Sequence, residues 1–230
     1  MSGKIDKLLD SYKLSKQSIS GVINPLEIIE LFENIQLKYI LVGGHMLAYH
    51  TQNPRATVDV DFIIAQSDFN QAVALVQSNF PHLTINDKIQ HVTFDDGHNN
   101  NSERIDLIRD DFPLFKQVLK LPDETSDKIK IPSIEAAITL KFAACISPNR
   151  NNDDKLIDQA DLIHLIKATA KLNKELIHSL AEEIYLVLDR ESIRSEGKSG
   201  FEQNFSLFEE NSWLFDENKE EFWQNPAFPQ

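Results

Sequence analysis

Leu41-Val-Gly-Gly-His-Met-Leu-Ala-Tyr-His50, followed by Arg55-Ala-Thr-Val-Asp-Val-Asp-Phe-Ile-Ile64, is the stretch from which the rest of the chain can be read. Lys38 to Val42 is a short apolar run of β type that stops at Gly43-Gly44, and His45 to His50 has a helical pattern. Ala56 to Ile64 is dense in β-branched residues and reads as a second strand, with Ser67 as the cap of the next helix. Asp59 and Asp61 stand two apart on that strand, so their carboxylates share one face. Aspartate is depleted in strands, and two close carboxylates repel unless one is protonated or a cation lies between them. A divalent metal is the economical answer, and oxygen ligands without a Cys or His set select Mg²⁺ or Mn²⁺ over Zn²⁺. Taken alone, the pair fits a solvent-facing strand equally well. Two glycines after a strand most often close a turn, yet a helix starting there offers free N–H groups and a positive dipole end to a phosphate.

Working outward, Pro25 suits a first helical turn, and Leu26, Ile28, Ile29, Leu31 and Phe32 form one apolar face. Phe69, Ala72, Val73 and Val76 predict a helix over 68–79. Leu83 to Ile85, Ile89 to Phe94 and Arg104 to Ile108 read as strands, the last two separated by a loop rich in Asp, Gly and Asn. Asp106 lies in the last of these, so a third carboxylate is delivered rigidly if that strand lies beside the second. Beyond Pro113 we expect a short β-like run, Lys128 to Ile131, and then helices near 133–146, 154–170 and 173–190. The domains read as an arm over 1–21, an α+β core over 22–125, a helical subdomain over 126–200 and a tail over 201–230.

The 230 residues carry a net charge of −13 and one cysteine. That length buries about 70% of the surface of its unfolded chain. Cys145, in an apolar setting, predicts an inert thiol in a reducing compartment. With no signal peptide and no run of about 18 apolar residues, the expectation is a cytoplasmic protein that does not cross a membrane. The acidity argues against a generic nucleic-acid-coating surface. It is uneven, however: the tail holds eight aromatic residues among seven acids and one Lys, a local charge of −6. Lys128, Lys130, Lys141, Arg150 and Lys155 cluster in sequence and could supply a local basic patch.

The glycine pair, the following helix and Arg55-x-Thr57-x-Asp59-x-Asp61 together resemble the signature of the polymerase β-type nucleotidyltransferase superfamily, in particular the minimal bacterial nucleotidyltransferases of the AbiEii toxin-like group. The match is firm over 38–64 and looser to about 166. The resemblance implies a nucleotidyltransferase-fold mixed β-sheet with flanking helices, followed by a helical subdomain. It implies that Gly43 and Gly44 hold a nucleoside triphosphate, with Arg55 and Thr57 at adjoining motif positions. Asp59, Asp61 and Asp106 match the metal-binding carboxylates, Asp61 bridging two ions and Asp106 acting as general base. Lys141 matches a lysine directed at the nucleotide; it also falls on the stripe Ile134, Ile138, Lys141, Cys145, which buries its stem. Asp158 and Asp161 read as structural acids pairing with Arg150 or Lys155. Arg104 and Arg109 either steady the triphosphate or pair with Asp110 and Asp111, and His45 reads as a helix-face histidine.

The function expected is Mg²⁺- or Mn²⁺-dependent transfer of a nucleoside monophosphate from an NTP to a hydroxyl on tRNA or another RNA 3′ end, a protein or a small molecule. The toxin-like resemblance adds a cognate antitoxin as partner. The rival expectation is a nucleotidyltransferase-like scaffold acting through a partner docked by its tail. A metal-dependent nuclease also uses paired carboxylates, but cutting a phosphodiester needs no triphosphate cradle.

Overall fold

The computed structural model describes residues 10, 12–14, 16, 22–51, 57–97, 103–123, 129–147 and 150–195, those from 185 onward by backbone alone. The tail over 201–230, Arg55, Lys128 and most of the arm lie outside them. The chain divides into two compact units, Met1–Ala137 and Ile138–Gln230.

The first unit opens with helix α1, Pro25–Asn34, whose cap Asn24 accepts the Leu26 N–H at 3.1 Å. Ile28, Ile29 and Phe32 are its buried stripe. It ends in a Schellman closure: Gln36 N–H donates to Glu33 O and Leu37 N–H to Phe32 O, at 3.1 and 3.0 Å. Gln36 takes the left-handed conformation, φ 57°, that such a closure requires.

Strand β1, Tyr39–Leu41, leads into α2, Gly43–His50, and then β2, Asp59–Ile64. Helix α3, Phe69–Asn79, precedes β3, Thr84–Asp87, β4, His91–Asp95, and β5, Arg104–Arg109. The five strands form one mixed sheet in the order β1-β2-β5-β4-β3, with β2 and β5 parallel and the other neighbours antiparallel. This is the expected α+β architecture: a mixed sheet with flanking helices.

Alternation sorts the sheet's two faces. Val60, Phe62, Ile105, Leu107, Val92 and Phe94 are buried on one face. There α1 delivers Phe32, its ring 5.1 Å from that of Phe62, and α3 packs against α1 and β5. Asp59, Asp61, Arg104, Asp106, Thr93 and Asp95 lie on the other. The Arg109 guanidinium closes the apolar face at one end, 3.9 Å from the centre of the Phe69 ring.

Two local expectations need correction, and one helix is new. Ser67 does not cap α3; Asp68 holds the cap position without capping, because its carboxylate accepts the Ser67 hydroxyl and the Lys38 N–H. Ile129–Ile131 forms no strand of the sheet. It runs beside β1, where Lys130 O accepts the Leu41 N–H at 2.8 Å and the Lys130 ammonium pairs with Glu33 at 3.0 Å. The short helix α4, Pro113–Val118, was not anticipated, because six residues are too few to display a helical period.

Helix α5, Ile134–Ile146, starts at Ser133, whose hydroxyl oxygen accepts the Ala136 N–H at 3.3 Å. The unit boundary falls within it. The second unit continues with α6, Asn152–Ala168, capped by Asn151, and α7, Lys174–Ser195. Ile177, Leu180, Ala181 and Ile184 are buried on α7 at helical spacing. No described helix is long and apolar enough to cross a membrane.

Candidate active site

Strand pairing brings two of the three expected acids side by side. Asp61 of β2 lies directly opposite Asp106 of β5, and Asp59 opposite Arg104. Neighbouring strands are about 4.8 Å apart, so the acids of this face are close enough to repel unless a cation offsets them. Asp106 is buried at 8% exposure, whereas Asp59 and Asp61 are half-buried.

Both oxygens of Asp106 are engaged. One accepts the Thr93 hydroxyl at 2.6 Å; the other accepts Arg104 through Nε at 3.0 Å and Nη2 at 2.8 Å. Burial opposes the charge on Arg104, but Asp106, by charge and hydrogen bond, and then Asp59 and Asp61 hold its pKa above the ordinary arginine value. The guanidinium is therefore paired with Asp106 and also feels the charge of Asp59 and Asp61. His91, on the same face of β4 as Thr93, has its pKa depressed chiefly by burial, with Asp106 working in the opposite direction.

The glycine pair meets this face. Gly43 has φ +66°, a left-handed conformation, and a Cβ built on it would lie 1.9 Å from Asp61 Oδ2. A Cβ on Gly44 would lie 2.8 Å from both Cβ and Oγ1 of Thr57. The two glycines are thus demanded by the side chains they face as well as by the turn. The Val42 N–H donates to Asp61 O at 2.9 Å, tying the start of α2 to β2. Val42 supplies no side-chain cap, and the opening N–H groups of α2 add the positive end of a helix dipole beside an acidic strand. Thr57 is itself buried, with its hydroxyl directed at Asp59 O.

The other expected residues are placed as follows. Lys141 is buried in the second unit, where its ammonium meets Asp158 at 2.9 Å and Asp161 at 2.7 Å. Arg150 also pairs with Asp158, one of the pairings expected, whereas Asp161 takes Lys141 rather than Arg150 or Lys155. These pairs, with that of Lys130 and Glu33, spend the charge of three members of the anticipated basic patch. Cys145 nearby has its thiol pushed up to about 12, by burial first and by Asp158 next, which disfavours the reactive thiolate. His45 is completely buried. Neither flanking arginine pairs with Asp110 or Asp111 in the way foreseen: Arg104 takes Asp106, and Arg109 takes Asp87 at 3.0 Å. Asp110 accepts the Gln66 N–H instead.

Sequence reading missed Thr93. The signal was the alternation His91-Val-Thr-Phe-Asp95, which puts three polar residues on one face.

Among the described residues, no three His, Cys, Asp or Glu side chains are grouped as a metal site. Carboxylate oxygens are hard donors of the kind a magnesium-type ion takes, and Gly43 leaves room for that of Asp61.

No protein-family model and no curated protein matches this chain. Among solved structures, the chain is similar to an antigenic nucleotidyltransferase-like protein of Paracoccidioides brasiliensis, at 15% identity and a TM-score of 0.44, over 83% of this chain and 91% of that one. It is similar to JHP933 of Helicobacter pylori at 18% identity and a TM-score of 0.40, over 75% and 79%. A further H. pylori protein, described provisionally as a nucleotidyltransferase, is similar at 16% identity and a TM-score of 0.42, over 85% of each chain.

Proposed function

We propose that this chain is a metal-dependent nucleotidyltransferase that transfers a nucleoside monophosphate from an NTP to an acceptor hydroxyl. The observation that carries the reading is the contact of Gly43 with Asp61: a helix start that tolerates no side chain, set against the first acids of a carboxylate-bearing sheet. The opening N–H groups of α2 receive the triphosphate, and Gly43 and Gly44 let it approach the backbone. Asp59 and Asp61 would hold Mg²⁺ or Mn²⁺, joined by Asp106. The ion supplies charge neutralisation and lowers the acceptor hydroxyl's pKa. In the transfer, the acceptor oxygen bonds to the α-phosphorus and the bond to the bridging oxygen of pyrophosphate breaks. Asp106, released from Arg104, takes the hydroxyl proton.

The acceptor is a hydroxyl of RNA, protein or a small molecule, and a toxin with a cognate antitoxin remains the role suggested by the sequence resemblance. The paired state of Lys130, Lys141 and Arg150 removes part of the basic support for an RNA acceptor.

The test is to incubate the purified chain with each α-labelled NTP, Mg²⁺ and cell extract. Label moved to RNA, protein or a small molecule names the acceptor, and Asp59→Asn or Asp61→Asn lowers transfer by about 10²-fold or more. No transfer from any NTP, or full transfer by both variants, overturns the assignment.

A further inference from the structure

Arg104 occupies the place where a cation is needed if three carboxylates are to share one face of a sheet. Its Nε and Nη2 both reach one oxygen of Asp106, at 3.0 and 2.8 Å, while Thr93 takes the other at 2.6 Å. With both oxygens engaged in this way, Asp106 is committed to protein donors. The two ends of the ion pair differ in freedom: the Arg104 side chain is 41% exposed and that of Asp106 only 11%. Arginine can therefore withdraw toward solvent, whereas the aspartate is held by the sheet and by Thr93. Arg104 also lies in register with Asp59, so a small change of rotamer keeps it beside the acids it leaves.

We propose that Arg104 is a built-in counter-cation and gate: it neutralises Asp106 at rest, and it must leave Asp106 before that carboxylate can join Asp59 and Asp61 in holding a divalent ion. This rests on the metal-dependent reading above. The exchange replaces one cation by another, so Asp106 is never left bare, and Arg104 sets the metal affinity as a positioning residue. Once displaced, its planar fork suits a phosphate, the anion that accompanies the metal in a nucleotide.

The experiment uses the full chain and metal alone. Mn²⁺ binding is measured by calorimetry for the native protein, Arg104→Gln and Asp61→Asn. In parallel, Mg²⁺ is titrated while the arginine Nε–H NMR signal that disappears in Arg104→Lys is followed. Arg104→Gln should bind Mn²⁺ about tenfold more tightly, because no internal cation competes, and Asp61→Asn should lose binding. The Arg104 signal should change in step with Mg²⁺ saturation, which a structural ion pair that stays closed would not show. Native binding with an unmoved Arg104 signal, or with no gain in Arg104→Gln, overturns the gate and leaves the nucleotidyltransferase reading standing. Absence of Mn²⁺ binding in both the native chain and Arg104→Gln overturns the metal-dependent reading and the gate with it. If Arg104→Gln fails to fold, the Mg²⁺ titration of the native chain decides alone.

Discussion

Asp61 Oδ2 fills the space that a Cβ on Gly43 would need, at 1.9 Å from it. The carboxylate and the helix start are therefore one steric unit, and a side chain at residue 43 would have to displace the acid on which the proposed chemistry depends. Gly43→Ala adds a left-handed conformation for a non-glycine residue, at about 1–2 kcal/mol, to the cost of moving Asp61. We expect a loss of at least about 2 kcal/mol in urea unfolding, and loss of nucleotide transfer under conditions where the variant is still folded.

Gly44 and Thr57 form a second such pair, with a different outcome. The obstacle to a Cβ at residue 44 is a side chain that can itself be removed. Gly44→Ala alone should destabilise by about 1–3 kcal/mol. Gly44→Ala combined with Thr57→Gly should recover part of that loss, giving a coupling of about 0.5 kcal/mol or more in a double-mutant cycle. Strict additivity would show that the two residues do not compete for space.

In the second unit, the Lys141 ammonium is shared by two buried acids, Asp158 and Asp161. Removing one member of a buried pair strands charge, so Lys141→Met should cost about 3–5 kcal/mol in thermal or urea unfolding. Lys141→Met with Asp161→Leu removes one charge of each sign and leaves the Arg150–Asp158 pair. It should recover most of the loss.

Asp158 also makes stability depend on pH. Burial pushes its carboxyl up, but the hydrogen bond from Arg150 and the charge and hydrogen bond of Lys141 outweigh burial and hold it below the usual aspartate value of 3.8. A carboxyl depressed in the folded chain contributes stability that is fully present above its unfolded pKa and is lost as pH falls through the folded one. Stability should therefore decline below about pH 4. Asp158→Asn should be less stable at neutral pH and should lose less on acidification, as read by unfolding at a series of pH values.

Much of the site was legible because its signals are local. Period two put Asp59 and Asp61 on one face, and Gly43-Gly44 marked the turn between a strand and a helix. Pro25 likewise announced the start of α1. The partners of charged groups were less legible, since an ion pair is chosen by distance in space: Lys141 met Asp158 and Asp161, and Arg109 met Asp87, three pairs of charges that no spacing along the chain singled out.

The sequence by itself therefore determined which face of its own strand each candidate residue takes, because a side chain's direction follows from the backbone period. Only the tertiary structure decided what those residues meet. The parallel register of β2 with β5 set Asp106 opposite Asp61 and Arg104 opposite Asp59, and the antiparallel register of β4 brought Thr93 to Asp106. Strand order and register are non-local, arising from burial of the apolar face, and a slip of one residue would have sent Asp106 and Arg104 to the opposite side of the sheet.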